Sequence, residues 1–238
     1  MSAKSYLWIE DRKGKAGYIF WKTLMHEICP EVIVESKKNN SELVKAVKAL
    51  SDEKSQYIIV FDNSFDNVQL YWEQKMLKKA VEARSNVFLL NLLCFEYTLL
   101  EFNKLIDWIY APEDEFLEKR AGAIAAREKL IQVIKSGELN YKAIQEVMDY
   151  DNNVDDHNIE QLSARLLFDL TRNTGFEVSK GKIGECWIKK CCEWTGRQEN
   201  DICGLEHTRL SVTDKMKSIY SGTSLSGEFK NTKLEVLI

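Results

Sequence analysis

Tyr57-Ile-Ile-Val-Phe-Asp62-Asn-Ser-Phe-Asp66-Asn67 is the stretch that decides the fold of this 238-residue chain. Its apolar and aromatic residues, 57–61, run directly into a segment that carries two carboxylates, Asp62 and Asp66. A short β-branched run without polar alternation is typical of a strand buried on both faces, as in a parallel sheet. Ligands bind to open α/β sheets at the carboxyl ends of such strands. The stretch therefore predicts a central parallel strand that ends at a functional acid.

Strands and helices are predicted to alternate on both sides of this stretch, as far as residue 110. Apolar runs predict further strands at 5–9, 31–35 and 86–90. Apolar residues at helical spacing predict helices over 18–28, from Ser41 as N-cap, over 70–83, and from 94 towards 108. Alternating strands and helices indicate βα units, a parallel sheet and helices on both of its faces. The predicted fold class is therefore α/β.

The second half of the chain has a different pattern. Helices are predicted over 113–135, 140–148 and 158–172, followed by a cysteine-rich helix and a tail rich in Ser, Thr and Gly. We therefore divide the chain into an α/β domain, residues 1–112, and a mainly helical carboxyl-terminal region, residues 113–238, which contains the cysteine-rich segment.

Composition limits the setting of the protein. A formal net charge of −4 gives no global positive field, although 33 Lys and Arg residues leave material for a local basic patch. No apolar run reaches the roughly 18 residues of a membrane span, and the first residues lack the hydrophobic core of a signal peptide. We therefore expect a cytoplasmic protein without a membrane partner, whose six cysteines are reduced thiols or metal ligands.

Acidic residues follow most of the predicted strands. Glu10 follows the first strand, Asp62 and Asp66 follow the third, and Glu96 comes shortly after the fourth. If these strands are neighbours, the acids meet at one edge, where they repel one another and raise their own pKa values unless a cation joins them. Carboxylate oxygens suit Mg²⁺ or Mn²⁺. An alternative stays open: these acids follow the strands only because the helix N-termini there favour negative side chains.

Three segments carry a resemblance to a known family. They are YLWIEDRKGK at 6–15, YIIVFDNSFDN at 57–67 and NLLCFEYTLLEF at 91–102. The layout resembles a TOPRIM domain, the fold of topoisomerases, primases and several nucleases, which has a Glu after its first strand and an Asp-x-Asp after its third. The third segment is similar to the one in TOPRIM proteins of the overcoming-lysogenization-defect nuclease type and related bacterial phage-defence proteins. The resemblance covers about residues 4–110.

The resemblance implies a metal-dependent nuclease that cleaves DNA or RNA phosphodiester bonds, in anti-phage defence. Glu10 would be the general base or a metal ligand that orients the nucleophile, and Asp62 and Asp66 would bind Mg²⁺ or Mn²⁺. Glu96 would orient or co-ligate, and Lys180 would stabilise the developing phosphate charge. A separate ATPase partner is implied too, since several such systems pair the two, and this chain has no Gly-x-x-x-x-Gly-Lys-Ser/Thr loop. Association into a homo-oligomer is left open.

Two departures from the family pattern open an alternative. Ser64 stands where the second Asp of Asp-x-Asp is expected, and Asp11 replaces the usual Gly. A serine offers one neutral oxygen where an aspartate offers a charged pair. Either Asp66 replaces the missing ligand, or the chain is a catalytically degenerate binding or regulatory module that docks a partner such as an ATPase. A third reading is a receiver-like or flavodoxin-like domain in which Asp62 has another role, and we expect strand order to separate it.

The cysteine-rich segment offers a second candidate metal site. Cys186, Cys191, Cys203 and His207 are ligand types that zinc prefers, and Cys203 and His207 are spaced to share one helix face. The usual Cys-x-x-Cys spacing is absent from the segment. Because free cysteine also packs as a small hydrophobe, the segment is read either as a zinc site or as part of a core. Cys29 and Cys94 are predicted to be buried core residues.

Overall fold

The computed structural model of the chain describes residues 3–63, 67–108, 118, 120–136, 146–147, 150, 158–171, 211–232, 234 and 236. The strands are β1 (Ser5–Ile9), β2 (Val32–Ser36), β3 (Gln56–Val60) and β4 (Val87–Leu90). The helices are α1 (Ala16–Ile28), α2 (Asn40–Ala49), α3 (Val68–Glu82), α4 (Phe95–Leu100), α5 (Leu105–Trp108), α6 (Ala121–Lys135), α7 (Ile159–Thr171), α8 (Val212–Ser221) and α9 (Leu225–Lys230). Among these helices, none is both long and apolar enough to cross a bilayer.

The strands form one parallel sheet in the order β2-β1-β3-β4. The predicted α/β class, its parallel sheet and the adjacency of the first, third and fourth strands are confirmed. The expectation that strand order would separate a receiver-like domain from the other readings is wrong. Flavodoxin-like and receiver-like sheets share the order observed here, so they too place these three strands side by side.

This strand order creates a topological switch point between β1 and β3. From β1 the chain crosses to β2, which pairs with one edge of β1. It then returns past β1 to form β3, which pairs with the other edge of β1. The crossover connections on the two sides diverge and leave a crevice at the carboxyl ends of β1 and β3. Such crevices are the usual ligand sites of open α/β sheets.

Both faces of the sheet are covered. Leu7, Ile9 and Ile58 contribute to one core, together with residues of α1 and α4. Trp8 and Ile59 belong to a second core on the opposite face, under α2 and α3. Successive strand residues point to opposite faces, so a strand with a core on each side must be apolar throughout. This explains why the 57–61 run shows no polar alternation.

The first core continues into the carboxyl-terminal half of the chain. Leu130, Leu166, Ile219 and Phe229, from α6, α7, α8 and α9, are buried in the same cluster as the β1 residues. The elements described beyond residue 112 are all helices, in line with the predicted helical region. The boundary at 112/113 lies outside the described residues, and the division into two domains stays a prediction.

The Ser/Thr/Gly-rich tail contains the two short helices α8 and α9. The Ser211 hydroxyl accepts a hydrogen bond from the Asp214 amide at 3.0 Å, which caps the first turn of α8. The Glu228 carboxylate of α9 accepts a 2.6 Å hydrogen bond from the Asn91 amide, just after β4. These contacts place the end of the chain beside the carboxyl edge of the sheet.

Candidate active site

Glu10 and Asp62 meet at the switch point. Glu10 follows β1 directly, Asp62 comes after β3, and their carboxyl groups share a hydrogen bond. A hydrogen bond between two carboxyl groups requires a proton on one of them, because a carboxylate can only accept. Without a cation, the pair therefore holds a proton between the ends of the two central strands.

Glu96 reaches the same place from the first turn of α4. The helix begins there because the Cys94 thiol acts as its N-cap, with Sγ accepting a hydrogen bond from the Tyr97 amide at 3.3 Å. Cys94 and Cys29 are both buried and neither forms a disulfide, and their burial confirms their predicted place in the core. The negative charge of Glu96 contributes to raising the pKa of Asp62.

Two further acids, Glu160 and Asp11, join the cluster. Glu160 lies in the first turn of α7, which packs against α4 and begins where the Asn158 side chain accepts a hydrogen bond from the Gln161 amide at 2.8 Å. The sequence reading missed Glu160, because nothing local links it to the strand ends.

Asp11 was read from the sequence only as a departure from the family pattern, and the structure places it beside Glu10. Its carboxylate lies against Gly17 in the first turn of α1, where a Cβ atom would come within 2.0 Å of Asp11 Oδ2. The absence of a side chain at Gly17 therefore makes room for the Asp11 carboxylate at this edge.

Burial and mutual repulsion shift the titration of these acids. Burial and then the Asp11 charge raise the pKa of Glu10 from 4.5 to about 7, although the hydrogen bond with Asp62 lowers it in part. Burial, followed by the charges of Glu10 and Glu96, raises the pKa of Asp62 well above its usual value. Burial and Glu160 likewise raise the pKa of Asp11. The cluster is therefore costly to ionise without a neutralising cation.

The acids line two connected spaces. A small pocket of about 80 Å³ is bounded by Glu10, Asp11, Asp62, Glu96 and Glu160, and by core residues beneath them. It opens into a cleft of about 460 Å³ that shares these acids. Since one water needs roughly 10–15 Å³ of such volume, the small pocket has room for several waters or for a hydrated ion.

The rim of the larger cleft is positively charged. Arg12, Lys15 and Lys38 line it, together with Asn39 and the first turn of α1. The N-cap position of α1, Lys15, makes no side-chain capping hydrogen bond, and Lys38 has the left-handed φ of 74° that non-glycine residues rarely adopt. A negative floor with a positive rim suits an anionic ligand that is held through a cation.

The cap of α2 differs from the prediction. The Asn39 side chain, and not Ser41, accepts the capping hydrogen bond, from the Glu42 amide at 2.9 Å. Both residue types are good caps, so composition alone did not choose between them.

The carboxylates of the pocket are of the right chemical type to bind a hard divalent ion, but their positions suit such an ion only in part. Carboxylate oxygens are the ligands that Mg²⁺ and Mn²⁺ prefer, and burial followed by mutual repulsion raises the pKa values of Glu10 and Asp62, a cost that such an ion would reduce. Within the described ranges, however, no three acid, histidine or cysteine side chains are placed to hold one ion together. Binding would therefore require these side chains to rotate towards a shared ion.

Several predicted residues lie outside the described part of the chain. They are Ser64, Asp66, Lys180, Cys186, Cys191, Cys203 and His207. The roles of Asp66 as a magnesium ligand and of Lys180 near the phosphate stay predictions, as does the choice between zinc and core packing for the cysteine-rich segment.

Comparison of the chain with protein-family models, with curated proteins and with solved structures finds no match in any of the three. The geometry and electrostatics of the switch point are therefore what indicate a functional site in this chain.

The titration of Glu10 predicts how the metal-free protein responds to pH. Because the pKa of Glu10 is raised in the folded state, folding retains a proton that the unfolded chain loses, and stability falls as pH rises from 4.5 to about 7. The shift corresponds to about 3 kcal/mol above that range. Urea unfolding should therefore show Glu10→Gln gaining stability over the wild type at about pH 8 and much less at about pH 5.

The matched control for this prediction is Glu53→Gln, at an exposed site on the opposite edge of the sheet. It removes a carboxylate that does not belong to the cluster, so a gain that is specific to Glu10→Gln reports on the acids of the pocket. A Glu10→Gln difference that is equal at both pH values would show that Glu10 titrates normally and that the acids do not repel one another.

Proposed function

We propose that the chain is a divalent-metal-dependent nuclease, with a TOPRIM-like amino-terminal part, that cleaves DNA or RNA phosphodiester bonds. One observation carries the proposal: acids from separate elements, Glu10, Asp62 and Glu96 among them, line one small pocket at the switch point. Acids that only make a surface soluble are spread apart, whereas these share a partly buried space, where burial and mutual repulsion make their ionised forms unfavourable. Clusters of acids with strongly raised pKa values are typical of functional sites.

The residues at the pocket have separable roles in this proposal. Glu10 and Asp62, with Asp66 from the segment that follows, would hold the ion. When bound, Mg²⁺ or Mn²⁺ supplies charge neutralisation at the phosphate and an activated water nucleophile. Glu10 would act either as the general base that accepts a proton from that nucleophile or as a metal ligand that orients it. Glu96 orients the pair, and Lys180 is proposed to stabilise the developing phosphate charge.

The basic rim would position the substrate. Arg12, Lys15 and Lys38 stand around the mouth of the cleft, where a phosphodiester backbone can lie against them while one phosphate points to the acids. Contacts of this kind fix register without reading sequence, so they suit a nuclease that accepts many sequences.

The biological setting is proposed from the family resemblance. It implies anti-phage defence, a cytoplasmic location and a separate ATPase partner, and it leaves homo-oligomerisation open. The thiols of Cys29 and Cys94, which are not joined in disulfides, are compatible with a reducing compartment.

A second candidate function is a binding or regulatory module with a degenerate metal site. Two observations favour it: Ser64 replaces a ligand of the family pattern, and the acids of the described part are not yet arranged around one point. In that case the cleft would dock a partner such as an ATPase and would not cleave a substrate. A receiver-like reading, in which Asp62 has another role, stays open, because such sheets share the strand order observed here.

A substrate panel tests the proposal. The purified chain is incubated with plasmid, single-stranded DNA and tRNA, each with Mg²⁺ or Mn²⁺, and Glu10→Ala and Asp62→Ala are run beside it. We expect cleavage of at least one substrate by the wild type and loss of that cleavage in both variants. Cleavage that persists unchanged in both variants would place the activity elsewhere. A wild type that cleaves nothing, even when a candidate ATPase partner is added, would favour the binding module.

A further inference from the structure

The outward face of α3 is apolar where a surface helix should be polar. Val68, Tyr71, Trp72 and Met76 are exposed by 74%, 49%, 55% and 48%. The opposite face of the helix packs on the second core through Leu77. With about 3.6 residues per turn, Val68 and Trp72 lie on the side of the helix opposite Leu77, and Tyr71 and Met76 flank them.

These residues form one continuous strip. Val68, Trp72 and Met76 are spaced four apart, so they lie one above another on the same side of the helix. The Tyr71 and Trp72 rings meet edge to face, with their centres 5.6 Å apart. Scattered exposed apolar residues are normal on proteins, whereas a contiguous group of large ones marks a binding surface. We call these four residues the α3 strip.

Lysines accompany the strip. Lys75, Lys78 and Lys79 are exposed on the same helix, and the Lys75 ammonium lies 5.0 Å from the centre of the Trp72 ring. The centres of protein–protein interfaces are enriched in aromatic residues but depleted in lysine. Surfaces that bind single-stranded nucleic acid combine the two, because bases stack on the rings while positive charges follow the backbone.

The position of the strip links it to the candidate site. α3 begins at the carboxyl edge of the sheet, soon after Asp62, and Leu70 in its first turn lines the acidic cleft. Val68, Tyr71 and Trp72 therefore lie within about two helical turns of that cleft, each turn advancing about 5.4 Å. The basic rim at Lys15 and Lys38 belongs to the same cleft.

We infer that the α3 strip is a binding platform for single-stranded nucleic acid, which it leads towards the acidic cleft. A base stacks on Trp72 or Tyr71, and the lysines of α3 contact the adjoining phosphates. The direction towards the cleft rests on the proposed nuclease function, which this inference deepens by naming a single-stranded substrate. The binding itself does not require cleavage and is measured separately from it.

The test uses the full-length chain with the Asp62→Asn substitution, in EDTA, so that metal-dependent cleavage does not interfere. The probe is a labelled oligothymidylate of about 20 nucleotides, longer than the site sizes of typical single-strand modules, and binding is followed by fluorescence anisotropy. We expect Trp72→Ala to weaken binding by about 5- to 150-fold, the range for losing one stacked base. Trp72→Phe keeps a ring and should retain most of the affinity.

A lysine pair tests the electrostatic part of the inference. Lys75→Ala should lower the slope of log affinity against log salt by about 0.7, the value for one phosphate contact on a single strand. Lys54→Ala, at an exposed site on the opposite edge of the sheet, should change neither affinity nor slope. Circular dichroism confirms that each variant is folded.

Three results would overturn the inference. The first is an unchanged affinity in Trp72→Ala, and the second is equal binding of a duplex of the same length. The third is a dimer, seen by sedimentation, that Trp72→Ala dissociates while nucleic acid binding stays the same. The last result would make the strip an interface between two copies. Strip-dependent binding without cleavage by the wild type would support the platform and contradict only the nuclease proposal. Cleavage that does not depend on Trp72 would contradict only the platform.

Discussion

Asp62→Asn should lower the rate of metal-dependent cleavage by about 100-fold or more, because Asp62 is proposed as a ligand of the ion and even the outer-shell partners of metal ligands contribute about 10- to 100-fold. The substitution keeps the shape of the side chain and removes the charge that stands beside Glu10 at the switch point. It also removes a carboxylate whose pKa is raised by burial and by its neighbours. The metal-free variant should therefore be more stable than the wild type at neutral pH, while its activity is lost.

This combination separates a functional loss from misfolding. A variant that is inactive because it is damaged would unfold at a lower urea concentration, whereas Asp62→Asn should unfold at a higher one. Asp107→Asn, at an exposed site on α5, is the matched control and should leave both activity and stability unchanged. Retention of full activity by Asp62→Asn would contradict the assignment of Asp62 to the reaction.

Arg127→Met should destabilise the fold by about 3 kcal/mol, because each hydrogen bond from a charged donor contributes about 1.5–3 kcal/mol and removing the buried charge offsets part of the loss. The buried guanidinium donates from Nε to the Leu100 carbonyl at 2.7 Å and from an Nη to the Phe102 carbonyl at 2.9 Å. These carbonyls lie at the end of α4, where helical partners run out. Methionine fills the space of the stem but leaves the Leu100 oxygen without its donor, while the Phe102 oxygen keeps the hydrogen bond that it accepts from the Leu105 amide at 3.0 Å.

The midpoint and slope of urea unfolding measure this effect. Lys129→Met is the matched control on the same helix, because its ion pair with Glu146 is exposed and such pairs contribute at most about 1 kcal/mol. Arg127→Lys should fall between the wild type and Arg127→Met, since one ammonium does not reproduce the fork of a guanidinium. If Arg127→Met were no less stable than Lys129→Met, the link between α6 and the end of α4 would not stabilise the fold.

The sheet could be predicted because its information is local. The apolar run at 57–61 and the runs around it each marked a strand, and alternation with helical periods left a parallel sheet as the simple arrangement. The meeting of Glu10 with Asp62 followed from the same reasoning, once the carboxyl ends of neighbouring parallel strands were placed at one edge. The precise caps were less predictable, since Asn39 and Ser41 are both competent to start α2.

The acids that the sequence did not reveal are the ones brought in by long-range packing. Glu160 reaches the cluster only because α7 packs on α4, a contact between segments far apart in the chain. An acid at the start of a helix is expected because the helix dipole favours negative charge there. The sequence around Glu160 therefore gave no sign of a further role. Asp11 was visible as a departure from a family pattern, but its contact with Gly17 depends on the path of the chain into α1.

The carboxyl-terminal helices show a signal that composition obscured. The tail was described only as rich in Ser, Thr and Gly, and no helix was predicted within it, although Ser211-Val-Thr-Asp214 has the spacing of a capping box. Met216, Ile219 and Tyr220 then bury one face of α8. The exposed strip on α3 was also missed, because helical spacing alone does not show which of two apolar faces meets the core.

Titration calorimetry with Mn²⁺ at neutral pH is the most direct test of the claim that the acids at the switch point bind a divalent ion. The account predicts that the wild type binds Mn²⁺ and releases protons as it does so, because Glu10 and Asp62 hold a proton that the ion displaces. Glu10→Gln and Asp62→Asn should each weaken binding by about tenfold or more, since each removes one charged ligand. Equal Mn²⁺ affinity in the wild type and both variants, or a wild type that binds no Mn²⁺, would contradict the account.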